Sequence, residues 1–408
     1  MTTLPTASGV RRGTIPVFAV ATALTVSNIY FTQPILERIA QGLDSSSAAA
    51  GLVTTSGQIG YAVGIVTVVP LADRARLPTL SRVLLTITAL ALLAGGLAPS
   101  LTLLSAATLL LSTTTVLPQL IMPTISSMAT PGQAGRALAA VGTGLTLGAL
   151  LSRTVSGVLA EATGTWRASY FAAATTTAAL LFVLPKYMPE RRPGTGQAQT
   201  GYLKLLASLP PLIGRHGSLR LSVVLGSVGF AAFSSFWATL AFHLSHQPLG
   251  LGPAAVGLFG LGSVPGAFAA RYSGRLTDRY GSDIVNIIAL VSAGIAFVIF
   301  VLAGDSVPAL VIGCNLLGYG TTTAQIANQA RIFTGPVTLH ARLNTIYIFS
   351  LFASGAIGSG VGIALFDAHG WTAVVAEGMA FLAVGALASV GQLLPRIRGI
   401  QHQPGQHD

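Results

Sequence analysis

Long apolar stretches alternate with short polar ones along the whole chain, from about residue 14 to residue 394. A helix needs about 20 apolar residues to cross roughly 30 Å of hydrocarbon, so each long run predicts one membrane-crossing helix. Twelve are predicted, over 14–36, 48–70, 80–97, 101–128, 137–160, 166–184, 219–243, 253–273, 284–303, 308–331, 343–366 and 371–394. Between the sixth and the seventh lies a segment holding Pro185, Pro189, Pro193, Pro210 and Pro211, which reads as a linker. The expected organisation is a tail over 1–13, a six-helix bundle over 14–184, a linker over 185–218, a second six-helix bundle over 219–395 and a tail over 396–408. Within the linker, 202–209 is amphipathic enough to lie on a membrane surface, but a solvated loop is the simpler expectation. The tail from Ile400 onward is polar and is expected to be disordered.

The two bundles read as copies of one unit. Leu71-Ala72-Asp73-Arg74 recurs as Leu276-Thr277-Asp278-Arg279, an offset of 205 positions. Trp166 and Trp371 are 205 apart, as are Gly157 and Gly362. Such duplication is common in secondary transporters.

Composition identifies the medium. Charged residues make up 8% of the chain and hydrophobic ones 52%, with a mean hydropathy of +0.72; soluble proteins carry about 25% charged residues. A net charge of +11 would point to nucleic acid in a soluble protein, but here the cations follow membrane topology. With both termini in the cytoplasm, 19 of the 22 Lys and Arg residues fall in or beside cytoplasmic segments, leaving Arg38 and Arg167 outside and Arg153 within a span. No nucleic-acid partner is expected. The first span, which follows Arg11 and Arg12, lacks a small-residue cleavage site and reads as retained. Cys314 is the only cysteine, so an intrachain disulfide is excluded and the residue reads as a small apolar filler. A phosphate-cradling Gly-x-x-x-x-Gly-Lys loop is absent, which argues against direct nucleotide-driven pumping, and no metal or other cofactor is expected.

The loop after the eighth span, Gly274-Arg275-Leu276-Thr277-Asp278-Arg279-Tyr280-Gly281, resembles the cytoplasmic signature of the major facilitator superfamily. Its glycines permit a tight turn and its charges can form a network at a helix end. In that family the network braces the two halves at the cytoplasmic face, a role the resemblance assigns to Asp73, Arg74, Gly274, Asp278, Arg279 and Gly281. The first copy departs from the pattern, with Val69 and Arg76 at the glycine positions.

The fifth span carries Gly142, Gly144, Gly148, Ser152, Ser156 and Gly157, small residues that let helices pack backbone to backbone. In register it is similar to the fifth-helix motif of proton-driven exporters, with Gly148, Ser152, Ser156 and Gly157 at the small positions and Arg153 where that motif has proline. Asn28 to Leu36, Leu150 to Gly157, Gln325 to Arg331 and Arg342 to Thr345 narrow the resemblance to a bacterial branch described as arabinose-efflux or sugar-efflux-like permeases. The resemblance implies an all-α fold of twelve transmembrane helices in two bundles related by a pseudo-twofold axis.

Polar residues inside the spans are the candidates for chemistry. A charge near the bilayer centre costs at least about 2.5–3.5 kcal/mol, so Arg153 reads either as a cation facing a substrate or a titrating carboxylate, or as a tie to neighbouring backbone. In the family, the first, fourth, seventh and tenth helices line the cavity. They carry Asn28, Tyr30 and Gln33, then Thr115 and Gln119, then Phe233, Phe236 and Trp237, then Asn315, Tyr319, Gln325, Asn328 and Gln329. The last three share one helix face by spacing. Amides there can bind a substrate or one another. The candidate substrate contacts are Asn28, Tyr30, Gln33, Gln119, Arg153, Trp237, Gln325, Asn328 and Gln329. Glu37 and then Glu377 are the carboxylates for proton coupling, each with a structural alternative. His243 and His246 end the seventh span at the outer face.

The expected function is proton-coupled efflux of a small organic solute by a monomer in a bacterial inner membrane. Uptake or facilitated diffusion is the alternative. A membrane enzyme or a channel is remote, because a convergent set of intramembrane acids or histidines is missing.

Overall fold

Helix ends follow the local sequence. Ser46 precedes the second membrane helix, and its Oγ accepts a 3.2 Å hydrogen bond from the Ala49 N–H; Ser100 does the same for Leu103 at 3.4 Å. Gly164, at φ 71°, ends the fifth helix in the left-handed conformation that glycine tolerates. The computed structural model describes residues 13–190, 207–270, 272–336 and 339–401.

Among the described residues, twelve helical rods follow one another in antiparallel sequence. They are α1 (Thr14–Gly42), α2 (Ser47–Asp73), α3 (Leu77–Gly96), α4 (Leu101–Met128), α5 (Pro131–Thr163), α6 (Arg167–Val183), α7 (Gly217–Ser245), α8 (Pro253–Ala270), α9 (Ser273–Ala303), α10 (Val307–Ile332), α11 (His340–His369) and α12 (Trp371–Gln401). Among the described residues, eleven are long and apolar enough to cross a membrane. The other, α10, is a continuous 26-residue helix, and it is set apart by the amides, threonines and glycines it carries. The outer surface is apolar: Leu302, Leu387 and Phe182 are 79%, 73% and 70% exposed. These side chains need a hydrocarbon solvent.

Several rods are broken where proline removes a donor. Pro34 has no N–H for the carbonyl of Tyr30, so α1 runs as Thr14–Tyr30, passes through a 3₁₀ turn at Gln33–Ile35 and resumes as Leu36–Gly42. The first span therefore continues past the expected residue 36 and takes in Glu37. Pro118 falls just after the break in α4, whose parts are Leu101–Thr114 and Leu117–Met128. In α8 the break lies at Ser263, before Pro265.

Other boundaries also move. α5 is 33 residues long, begins at Pro131 and outruns its predicted span at both ends. α12 continues to Gln401, beyond the expected end and into the polar tail. The linker contains a short helix, Pro210–Arg215, and α7 starts at Gly217. Most of the amphipathic piece over 202–209, like Arg11, Arg12, Arg191, Arg192, Lys204 and Arg271 of the charge count, lies outside the described residues.

One face of the molecule carries the α1–α2, α5–α6, α7–α8 and α11–α12 connections; the opposite face carries the linker. The halves meet along two seams, α2 with α11 along much of their length and α5 with α8 at the loop face, which exchange under the duplication. Thr55 and Ser359 hydroxyls are 3.2 Å apart across the first. In the second, a Cβ added to Gly157 would lie 2.2 Å from the Pro253 carbonyl oxygen, and one added to Gly257 2.5 Å from that of Arg153. The α5–α8 contacts concentrate in Pro253–Gly262 and thin out along Val264–Ala270 toward the linker face. A core that joins the halves, including Phe31, Ile35, Trp166, Phe236, Trp237 and Phe300, fills the loop-face side.

Candidate functional site

The break in α1 and the small residues of α5 set the site. Gly144 and Gly148 bring α5 against the α1 backbone: added Cβ atoms would sit 2.2 Å and 2.3 Å from the carbonyl oxygens of Ala19 and Ala23. Ser27 Oγ donates to the Gly148 carbonyl at 3.0 Å. Within α5, Ser152 and Ser156 donate to the carbonyls of Ala149 and Arg153. On its other side, Gly157 packs against α8. Arg153 thus stands where α5 passes between α1 and α8.

Arg153 is 2% exposed. Its Nε donates to Gln33 Oε1 at 2.7 Å and its Nη1 to the Ala149 carbonyl at 2.8 Å. The guanidinium carbon lies 4.1 Å from the Trp237 ring centroid and 4.7 Å from that of Tyr30. Nη2 is buried and has no hydrogen-bond partner. Cys314 of α10 lies within electrostatic reach of this cation. Residues of both halves, from α1, α5, α7 and α10, therefore converge on one charge.

Of the nine predicted substrate contacts, Tyr30, Gln33, Arg153 and Trp237 come together here. The other five have different partners. Asn28 Nδ2 donates to the hydroxyls of Thr115 and Thr177 inside the first half. Gln119 donates to the Tyr61 hydroxyl at 3.3 Å. Gln325 lines a small cavity between α7, α10 and α11. Asn328 Nδ2 donates to Asn286 Oδ1 of α9, and Gln329 to Asn344 Oδ1 of α11. The shared face expected for Gln325, Asn328 and Gln329 thus splits among three neighbours.

The two candidate carboxylates differ in setting. Glu37 lies on the loop-face continuation of α1, one turn beyond Gln33, in a cavity of about 300 Å³ bounded by α1, the end of α7 and the α7–α8 connection. Its Oε1 accepts from Gln41 at 2.9 Å, while Oε2 is buried without a partner. Glu377 accepts from Ser235 at 2.6 Å and lies near Gly362, wholly within the second half. His243 stacks on Trp371 at 4.0 Å and bonds the Gly304 carbonyl at 2.9 Å.

At the linker face the signature is arranged differently from a simple turn. Gly274 is helical with nothing within 4 Å of an added Cβ, and the chain turns at Gly281, φ 81°. Asp73, Asp278 and Arg279 are exposed. Arg74 is half-buried and has a partner. The charge pair that sequence reasoning missed is Asp283 with Arg331, 2.6 Å apart, joining α9 to α10. A carboxylate at 283 near the repeated motif was its only sequence signal.

The known proteins this chain is similar to agree with that architecture. The family model for the Major Facilitator Superfamily matches residues 18–334. The Escherichia coli O157:H7 protein described as uncharacterized transporter YgaY is 31% identical over 378 residues, covering 91% of this chain and 94% of that protein. The Streptomyces coelicolor probable transporter SCO4007 is 32% identical over 377 residues, covering 92% and 86%. Among crystal structures, a point mutant of the nucleoside transporter NupG superposes with a TM-score of 0.75 at 13% identity, covering 94% of this chain and 99% of that one. The peptide transporter POT in complex with sulfate gives 0.74 at 17%, covering 96% and 97%. A duplicated bundle of membrane helices meeting around a buried cation, matched over most of its length by that family model, belongs to the Major Facilitator Superfamily of membrane transporters.

Proposed function

We propose that this protein is a secondary active transporter that exports a small organic solute in exchange for protons, working as a monomer by alternating access. The observation that carries the reading is Arg153, a buried cation at the boundary of the two halves with one nitrogen unpartnered. Polar groups at a repeat interface near mid-membrane are where such carriers bind their cargo. The α5–α8 seam is tight at the loop face and thins toward the linker face, the uneven contact expected of one state of an alternating carrier, while the α2–α11 seam is packed toward both faces. The distribution of lysine and arginine supports a cytoplasmic linker face in a bacterial inner membrane. Glu37, in a cavity between the halves, is the preferred proton site; Glu377, engaged inside one half, is the second.

The test is transport of a solute panel by purified protein in liposomes, with and without an imposed pH gradient. Accumulation driven by the gradient is expected. Equal rates in both conditions would remove the coupling and leave a facilitated carrier.

A further inference from the structure

We infer that the transported solute is a lipophilic organic anion whose carboxylate docks on the free edge of Arg153; this rests on reading the Arg153 node as the substrate site. A buried guanidinium needs compensation, and its neighbours here supply only neutral groups: the Gln33 amide, the Ala149 carbonyl and two aromatic faces. Among the described residues, the carboxylate at salt-bridge distance from a cation belongs to the Asp283–Arg331 pair, far along the chain from this node. Glu37 is taken up by Gln41 and Glu377 by Ser235, each through one oxygen.

Geometry selects the ligand further. The Trp237 and Tyr30 rings lie against the guanidinium, with centroids 4.1 Å and 4.7 Å from its central carbon, and its Nε is occupied by Gln33. What remains is the in-plane edge at Nη2, together with the second hydrogen of Nη1. Two parallel N–H groups in one plane match the two oxygens of a carboxylate. A neutral hydroxyl could accept one of these bonds but would leave the charge uncompensated, and a cation would be repelled. From Trp237, which touches the guanidinium, a run of rings continues along α7 through Phe233 to Phe230, with successive centroids 6.2 Å and 5.9 Å apart. That surface suits an apolar or aromatic body better than a polyhydroxyl one.

Binding can be measured on the full chain in nanodiscs, in a W166F/W371F background so that Trp237 fluorescence reports the site. The probes are benzoate, indole-3-acetate and octanoate, each paired with its primary amide, together with gluconate. At least one lipophilic carboxylate should quench Trp237 with an affinity about tenfold or more above its amide and above gluconate, about 1.4 kcal/mol. Arg153→Ala should abolish that preference and Arg153→Lys, which keeps the charge without the fork, should reduce it. Equal binding of acids and amides, preference for gluconate, or no quenching by any carboxylate at millimolar concentration would overturn the inference, each read on W166F/W371F protein whose thermal transition matches that of the unmodified chain. Because no gradient is applied, a carboxylate preference with gradient-independent transport would sink only the proton coupling. Gradient-driven transport of a solute bound equally as acid and amide would sink only the anion assignment.

Discussion

Glu161, near the end of α5, accepts a hydrogen bond through Oε2 from the backbone N–H of Ala254, 2.9 Å away at the start of α8. The bond joins the two halves of the molecule. It satisfies a donor at a helix N-terminus, where a carboxylate is favoured by the aligned backbone dipoles. An added Cβ at Gly252 would lie 2.7 Å from the same oxygen, so the connection is fitted closely around the carboxylate.

Under the proposed alternating access that bond breaks when the loop face opens, so Glu161→Ala should shift the population toward the state open at that face. A charge-assisted bond of about 1 kcal/mol corresponds to roughly a fivefold shift. Spin labels placed across the α5–α8 seam would report it as a longer distance distribution. Distributions identical to those of the unmodified protein would remove the latch role.

Gly148 and Gly157 separate folding from motion. Gly148 meets α1 inside one half, so Gly148→Ala should lower thermal stability by about 1–3 kcal/mol through overpacking. Gly157 meets α8 across the seam that the proposed mechanism opens, so Gly157→Ala should depress transport more than it depresses Tm. Gly132→Ala, at a position with nothing within 4 Å of an added Cβ, is the neutral comparison for both. Equal thermal losses at 148 and 157 would mean that the α5–α8 seam is as static as a core contact.

The two carboxylates give a third contrast. If coupling runs as proposed, Glu37→Gln should uncouple transport from the pH gradient, because it removes the carboxylate of the inter-half cavity. Glu377→Gln can still accept from Ser235 through its amide oxygen and should retain coupling, with at most a modest loss of stability. Parallel liposome assays decide; loss of coupling in Glu377→Gln alone would move the proton site to α12.

The helices and the duplication were legible in the sequence because burial in lipid demands long apolar runs whatever their packing. Arg153, Gln33, Tyr30 and Trp237 were legible as separate candidates, each costly or unusual inside a membrane. Their convergence was not, since it depends on a break after Tyr30 that turns Gln33 toward α5 and on glycines that let α5 approach. The tenth-helix amides illustrate the opposite case. Gln325, Asn328 and Gln329 share a face by spacing, yet Asn328 bonds α9, Gln329 bonds α11 and Gln325 lines a cavity with α7 and α11, because long side chains reach over a wide arc. Glu161 gave no signal, since its partner is a backbone N–H that every residue but proline carries.

Proline at position 34 has one further consequence. An unbroken helix would transmit any tilt from one end to the other, but α1 is interrupted between Tyr30 and Leu36. The inner rod, Thr14–Tyr30, packs along α5, whereas the outer piece, Leu36–Gly42, packs on α2 of its own half and also touches α7 of the opposite half. The first helix is thus jointed at the depth of the buried guanidinium, and only its outer limb reaches across to α7. Gln33 occupies the joint itself, where rotation of either limb would be felt first as a change in the hydrogen bond that holds Arg153.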